Sequence, residues 1–306
     1  MGRRLRECDR GAAPAALNVI EDRSARGRER TRKLLAEVSP AALGGEAGAH
    51  LVGVTGPPGA GKSSLLSALV GRWRELGRTV AVLAVDPTSR RSGGSLLGDR
   101  ARIEHDPRDD GVLIRSTAAG TRMGGLAPPT REAVQALAPA FDLVVVETVG
   151  VGQSETDVEE VTDTVAVVVQ PASGDTLQFL KAGIMEVPDV LVVTKADLGE
   201  PALRARRDLE SALRALGSRD TPVVSVSSVP PPSGIDGAAI DLPATRLRAR
   251  RLTALADFLA ERGEAGLRAL GGRREAERFL DSLHPALDAA ALVGALEERA
   301  SEEGGG

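Results

Sequence analysis

Gly56-Pro57-Pro58-Gly59-Ala60-Gly61-Lys62-Ser63 matches G-x-x-x-x-G-K-[ST] at every fixed position. The stretch follows a short apolar run, Leu51–Thr55, and opens a helical pattern, Ser63–Leu76. That strand–loop–helix setting separates a P-loop from an ordinary glycine-rich turn. Glycines let backbone N–H groups converge on phosphate oxygens, and the start of the following helix adds favourable partial charge. Lys62 can bridge the β- and γ-phosphates and the Ser63 hydroxyl can ligate Mg2+. Gly56 to Ser63, with Ser64 behind them, therefore form a candidate nucleoside-triphosphate site.

Outward from this loop, seven short β-branched runs alternate with helical patterns: LVGVT, TVAVLAV, GVLIR, DLVVVE, DTVAVVV, DVLVVT and PVVSV. Strands apolar on both faces belong to a largely parallel sheet, and alternation with helices predicts a three-layer, doubly wound α/β domain. The first helix places Leu65, Leu69, Trp73 and Leu76 on one stripe and stops at Gly77. The expected architecture is a P-loop NTPase domain over 51–237, with a helical N-terminal extension over 1–50 and a helical C-terminal segment over 238–306. The N-terminal segment is basic, with ten Arg or Lys against five Asp or Glu between Arg3 and Lys33. Its helical patches, near Ala15–Ile20 and Arg28–Val38, are interrupted around Gly27. It reads as a partner-docking arm or as a solvated helical pair packed on the domain. In the C-terminal segment the breaks fall at Gly271–Gly272 and His284–Pro285.

Composition narrows the function. The chain has 306 residues, 42% of them hydrophobic, which is enough for a substantial core. Four Phe, one Trp and no Tyr leave no aromatic platform for single-stranded nucleic acid. A net charge of −4, from 39 basic and 43 acidic residues, gives no electrostatic case for a nucleic-acid partner. A single cysteine, Cys8, excludes an intramolecular disulfide and a cysteine-cluster metal site. His50, His105 and His284 are scattered without ligand spacing and read as surface or packing residues. No run approaches the length of a membrane span, so a cytoplasmic protein without a membrane partner is expected.

A P-loop needs an acid at the end of a second apolar strand. Glu147 closes DLVVVE and begins Glu147-Thr148-Val149-Gly150, a variant of the D-x-x-G turn whose glycine N–H senses the γ-phosphate. Asp86 closes the second run and begins Asp86-Pro87-Thr88-Ser89. Strand C-termini are where ligands bind in such sheets; a helix or turn cap is the plainer alternative for either acid. Thr194-Lys195-Ala196-Asp197 resembles the [NT]-K-x-D guanine-reading motif. A carboxylate at Asp197 accepts from guanine N1–H and the 2-amino group, a pair adenine does not offer, and the Lys195 stem packs over the base. Ser227-Ser228, after the last strand, is the candidate second base loop. GTP or GDP with Mg2+ is the predicted cofactor pair. Where Ras-type GTPases carry the water-orienting Gln, this chain has Val151, with Gln153 further on. Slow intrinsic hydrolysis, raised by a partner, follows.

Asp86-Pro87-Thr88-Ser89, Ser92-Gly93-Gly94-Ser95-Leu96-Leu97-Gly98-Asp99 and Glu147-Thr148-Val149-Gly150-Val151-Gly152-Gln153-Ser154-Glu155 resemble the MeaB/MMAA/ArgK family of G proteins. The resemblance covers roughly Leu17 to Gly237 and implies a GTPase chaperone of adenosylcobalamin-dependent acyl-CoA mutases, methylmalonyl-CoA mutase among them. It gates cofactor loading and protects or restores the mutase. It also implies that Asp86, Asp99 and Glu147 lie around the metal, and that Asp86 and Asp99 bracket a first switch. Ala172–Lys181 resembles the third switch loop, in which Asp175, Gln178 and Lys181 couple nucleotide state to the mutase. Family members pair through their C-terminal helices, so Leu252–Leu292 is a candidate homodimer arm, or else a helical lid. Two other readings stand beside this one. A nickel- or cobalt-type metallochaperone GTPase would need Cys or His clusters that this chain lacks, and an ATP-dependent small-molecule kinase conflicts with Lys195 and Asp197.

Overall fold

A computed structural model describes residues 1–86, 103–118, 126, 128–148, 158–159, 161–171, 188–216, 221–235, 251, 254–255, 258–259, 262–284, 287 and 289–303. All seven expected runs form strands: β1 (His50–Thr55), β2 (Val80–Asp86), β3 (Val112–Ala118), β4 (Leu143–Glu147), β5 (Thr164–Val169), β6 (Val190–Val193) and β7 (Val223–Ser225). They make one seven-stranded sheet in the order β3-β2-β4-β1-β5-β6-β7, parallel throughout. β1 is central, flanked by β4 and β5, and Val54 is level with Glu147. The loop after β1 and the acid ending β4 thus emerge side by side at the C-terminal edge.

Period-two alternation sorts the strand residues into two layers. Val80, Val82, Val145 and Val168 face Leu65, Leu66 and Val70 of α5 (Lys62–Glu75). Ala81, Leu83, Val144, Val146 and Val167 face the opposite layer. That layer is built from α2 (Ala13–Glu21), α3 (Ala25–Glu37), α6 (Pro128–Leu137) and α7 (Glu200–Leu216), with the short α1 (Gly2–Arg6) beside them; α4 (Pro40–Leu43) buries none of its residues and is held by Arg6, which donates to Ala42 O at 3.2 Å. The basic N-terminal segment is therefore part of this layer, with Leu5, Leu17, Ile20 and Leu34 fully enclosed. Arg115 of β3 forks onto Glu21 and reaches Asn18 at 2.8 Å, and Arg23 pairs with Glu132 of α6 at 2.8 Å.

Two local expectations are corrected. The break between α2 and α3 falls at Asp22–Ser24, where Ser24 caps α3 through Gly27 N–H at 3.0 Å. Gly27 lies inside α3, and a Cβ there would stand 2.0 Å from the Asp22 carbonyl oxygen, so the position demands glycine. Leu76 leaves the apolar stripe of α5: it caps the helix with 60% of its surface exposed.

At the N-terminal edge one device recurs. Asp142, Asp163 and Asp189 each precede a strand and accept a backbone N–H that opens the neighbouring one: Thr79, Leu51 and Val165, at 2.8, 2.8 and 2.9 Å. Asp142 also accepts from the Thr79 hydroxyl, and these donors hold its carboxyl below the usual carboxylate range. Residues 1–239 form one compact unit and 240–306 a second. The second has its own core of Phe258, Leu270, Leu280, Leu292 and Leu296, with α8 (Arg273–Ser282) and α9 (Ala289–Glu303). Arg299 of α9 stacks on Phe279 of α8 at 4.6 Å from the ring centre.

Candidate functional site

The loop after β1 is shaped by its two framing glycines. Gly56 has φ +138°, and a Cβ there would stand 2.1 Å from the Val168 carbonyl oxygen, so the chain turns flush against β5. Gly61 enters α5 at φ +92°, a conformation that side chains disfavour. Lys62 is buried, and its Nζ donates to the carbonyls of Gly56 at 2.7 Å and Pro57 at 3.1 Å. Ser63 Oγ donates to Glu147 Oε1 at 3.0 Å. Glu147 is 3% exposed, so its carboxylate is buried against the first turn of the loop helix.

β2 lies on the far side of β4, with Ala84 level with Glu147. Asp86 ends β2 two positions further on, at the same edge. The Asp86 side chain, and Asp99, Gly150, Asp175, Gln178 and Lys181 entirely, fall outside the described residues.

The candidate base-reading segment, Thr194 to Asp197, meets the loop after β1 directly. Thr194, at the position where Asn is commoner, donates its hydroxyl to Ala60 O at 2.5 Å, with Val169 O at 3.1 Å. Lys195 takes a left-handed backbone, φ +54° and ψ +41°, uncommon for a side-chain-bearing residue and concentrated at functional sites. Its Nζ donates to Gln170 Oε1 at 2.6 Å. The two candidate base loops also join: Ser227 Oγ donates to Asp197 Oδ1 at 2.9 Å and Ala196 N–H to Val226 O at 3.1 Å. Asp197 is exposed, Ser227 is buried behind it, and Ser228 is half-buried. Ser64 is exposed in the first turn of α5.

Residues 13–257 match the family described as methylmalonyl-CoA mutase-associated GTPase MeaB. The chain belongs to the MeaB family. This MeaB-family GTPase is 38% identical over 307 residues to a Caulobacter vibrioides relative named as a GTPase, across 98% of this chain and 91% of the relative. It is 43% identical over 233 residues to a GTPase-named Pyrococcus abyssi protein, across 74% of this chain and 69% of that one. The mouse methylmalonic aciduria type A homolog is 38% identical over 219 residues, 69% of this chain and 53% of the mouse protein. Among solved structures, the LAO/AO transport system kinase superposes with a TM-score of 0.66 at 28% identity, covering 97% of this chain and 95% of that one.

The donor set fits the cofactors a MeaB-family GTPase implies. A hydroxyl and a carboxylate 3.0 Å apart are hard oxygens, the ligand type Mg2+ prefers while it keeps several waters. Two partners escaped the sequence reading. Gln170, on Lys195, stands one residue past β5, where strand C-termini should have drawn attention. Thr148 lay inside the E-T-V-G motif, yet its hydroxyl contact with Thr55 at 2.7 Å links two strands that sequence spacing does not bring together. Two of the three histidines hold hydrogen-bond contacts: His50 Nε2 is 2.8 Å from Thr164 Oγ1 and His105 Nδ1 is 3.2 Å from Ile103 O. Among the described residues no helix is long and apolar enough to cross a membrane.

Proposed function

We propose that this GTPase is a chaperone of an adenosylcobalamin-dependent acyl-CoA mutase such as methylmalonyl-CoA mutase, gating cofactor loading and protecting or reactivating the mutase. The carrying observation is that Glu147, the acid opening E-T-V-G-V-G-Q-S-E, meets the P-loop Ser63 hydroxyl at 3.0 Å. Membership of a family described by its association with that mutase supports the partner assignment.

In this reading the backbone of Gly56 to Gly61 cradles the phosphates, and Lys62 exchanges its contacts with Gly56 O and Pro57 O for β- and γ-phosphate oxygens. Ser63 and Glu147, with Asp86 and Asp99 as further candidates, hold Mg2+, which neutralises charge on the β- and γ-oxygens when bound. Gly150 senses the γ-phosphate. Lys195 covers the guanine plane, Asp197 reads its N1–H and 2-amino group, and Ser227 orients that carboxylate, with Ser228 beside it. Asp175, Gln178 and Lys181 relay nucleotide state to the mutase, and the 238–306 segment is the candidate homodimer arm. Val151 leaves the attacking water poorly oriented, so hydrolysis waits on the partner.

The test is GTP and ATP hydrolysis by the purified protein, with and without a panel of cobalamin-dependent acyl-CoA mutases. Slow GTP-only turnover stimulated by one mutase supports the reading and names the partner. GTP turnover indifferent to every mutase overturns the chaperone assignment, and ATP turnover overturns the base assignment.

A further inference from the structure

We propose that the buried hydroxyl pair Thr55–Thr148 is a positioning device that sets Glu147 against the P-loop helix. Thr148 Oγ1 donates to Thr55 Oγ1 at 2.7 Å, and the two residues are 1% and 0% exposed. Thr55 ends β1 directly before Gly56, and Thr148 directly follows Glu147 at the end of β4. The Thr148 N–H also donates to Val54 O at 3.0 Å, carrying the β1–β4 ladder one step past the last strand residue. Side chain and backbone of one residue thus clamp the root of the loop to the acid that must meet it.

The chemistry of the surroundings makes this pair an exception. Between His50 and Thr55 the side chains of β1 are Leu51, Val52 and Val54, and β4 is Leu and Val up to Glu147; replacing two mutually bonded buried hydroxyls with aliphatic groups of the same shape can be nearly neutral for stability. Stability alone gives no reason for two threonines here. Direction does: a short O–H···O contact fixes the separation and rotation of two strand ends, which branched aliphatics do not. The beneficiary is the Glu147 carboxylate, whose Oε1 sits 3.0 Å from Ser63 Oγ. Groups behind metal ligands commonly set metal affinity in this way.

The inference rests on the reading that Ser63 and Glu147 hold Mg2+, and the experiment separates the two. GDP binding is measured by calorimetry with Mg2+ and with EDTA for the unmodified protein, Thr148→Val, Thr148→Ser and Thr55→Val, each checked by thermal melting. Thr148→Val and Thr55→Val are expected to lose about tenfold of the Mg2+-dependent gain in affinity while binding in EDTA stays within about twofold, and Thr148→Ser to restore the gain. A full gain in both valine variants, or an equal loss with and without Mg2+, overturns the inference alone. No Mg2+-dependent gain in the unmodified protein overturns the metal reading and this inference with it.

Discussion

Ser63 Oγ donates to Glu147 Oε1 at 3.0 Å, joining the first turn of the P-loop helix to the end of the adjacent strand across 84 positions of sequence. Parallel pairing makes this possible, because Val54 and Glu147 are level and both strands end at the same edge. Glu147→Gln keeps the shape and removes the charge. GTP hydrolysis in saturating Mg2+ is expected to fall about a hundredfold or more, the scale of losing one preorganised electrostatic contact. Unchanged turnover in a single-turnover assay would move the metal acid elsewhere.

Base selection is expected to fail in two grades. Asp197→Ala removes the proposed acceptor for guanine and should reduce GTP-over-ATP discrimination by about 3 kcal/mol, roughly two orders of magnitude. Ser227→Ala leaves the carboxylate but removes the 2.9 Å contact that orients it, and a loss of about tenfold is expected. Competition between GDP and ADP for a fluorescent nucleotide measures both. Equal losses in the two variants would show that Ser227 acts on the base directly.

The fold was legible because each strand announces itself as a β-branched run ending at a turn signal, and Gly56 to Ser63 marked the strand and helix that frame the phosphate loop; that this strand is central came from the sheet order. The corrections were local and sterically caused. Gly27 looked like a breaker, yet it is the one residue type that lets α3 pass under the Asp22 carbonyl. Leu76 fits the α5 stripe by spacing, but it stands at the helix cap with 60% of its surface exposed. In the site, motif residues with fixed spacing could be named in advance. Gln170 and the Thr55–Thr148 pair could not, since their contacts depend on which strands lie side by side. The role of Asp142, Asp163 and Asp189 was likewise hidden: each stands at the head of its run in the sequence, but the N–H it accepts belongs to a neighbouring strand.

Acid is expected to loosen the sheet from its N-terminal edge. The Thr79 N–H and hydroxyl hold the Asp142 carboxyl below its ordinary range, and Arg74, bonded bidentately at 2.7 and 2.8 Å, does the same to Asp109. A carboxyl depressed in the folded state stabilises fully above its unfolded value, about 4, and loses that contribution as pH falls through the folded value. Denaturant midpoints should therefore decline below about pH 4. Asp142→Ala should cost about 1 kcal/mol at neutral pH, kept small by solvent screening, and flatten the decline. A parallel decline in the variant would remove Asp142 from the account.

Thr194 tests whether the base segment and the phosphate loop act as one body. Thr194 is 2% exposed, its hydroxyl reaches Ala60 O at 2.5 Å, and an ideal Cβ on Gly61 would lie 3.6 Å from Thr194 Oγ1. Thr194→Val preserves the shape and leaves the Ala60 carbonyl without this donor, at a cost of about 1–2 kcal/mol. Because the contact does not touch reacting atoms, the loss should appear as GTP and GDP affinity weakened together by roughly tenfold, with the single-turnover rate at saturation nearly unchanged. Thr194→Ser should recover most of it, since a hydroxyl remains to reach Ala60 O. A fall in the hydrolysis rate at unchanged affinity would instead place Thr194 in the chemistry, through the loop that carries Lys62.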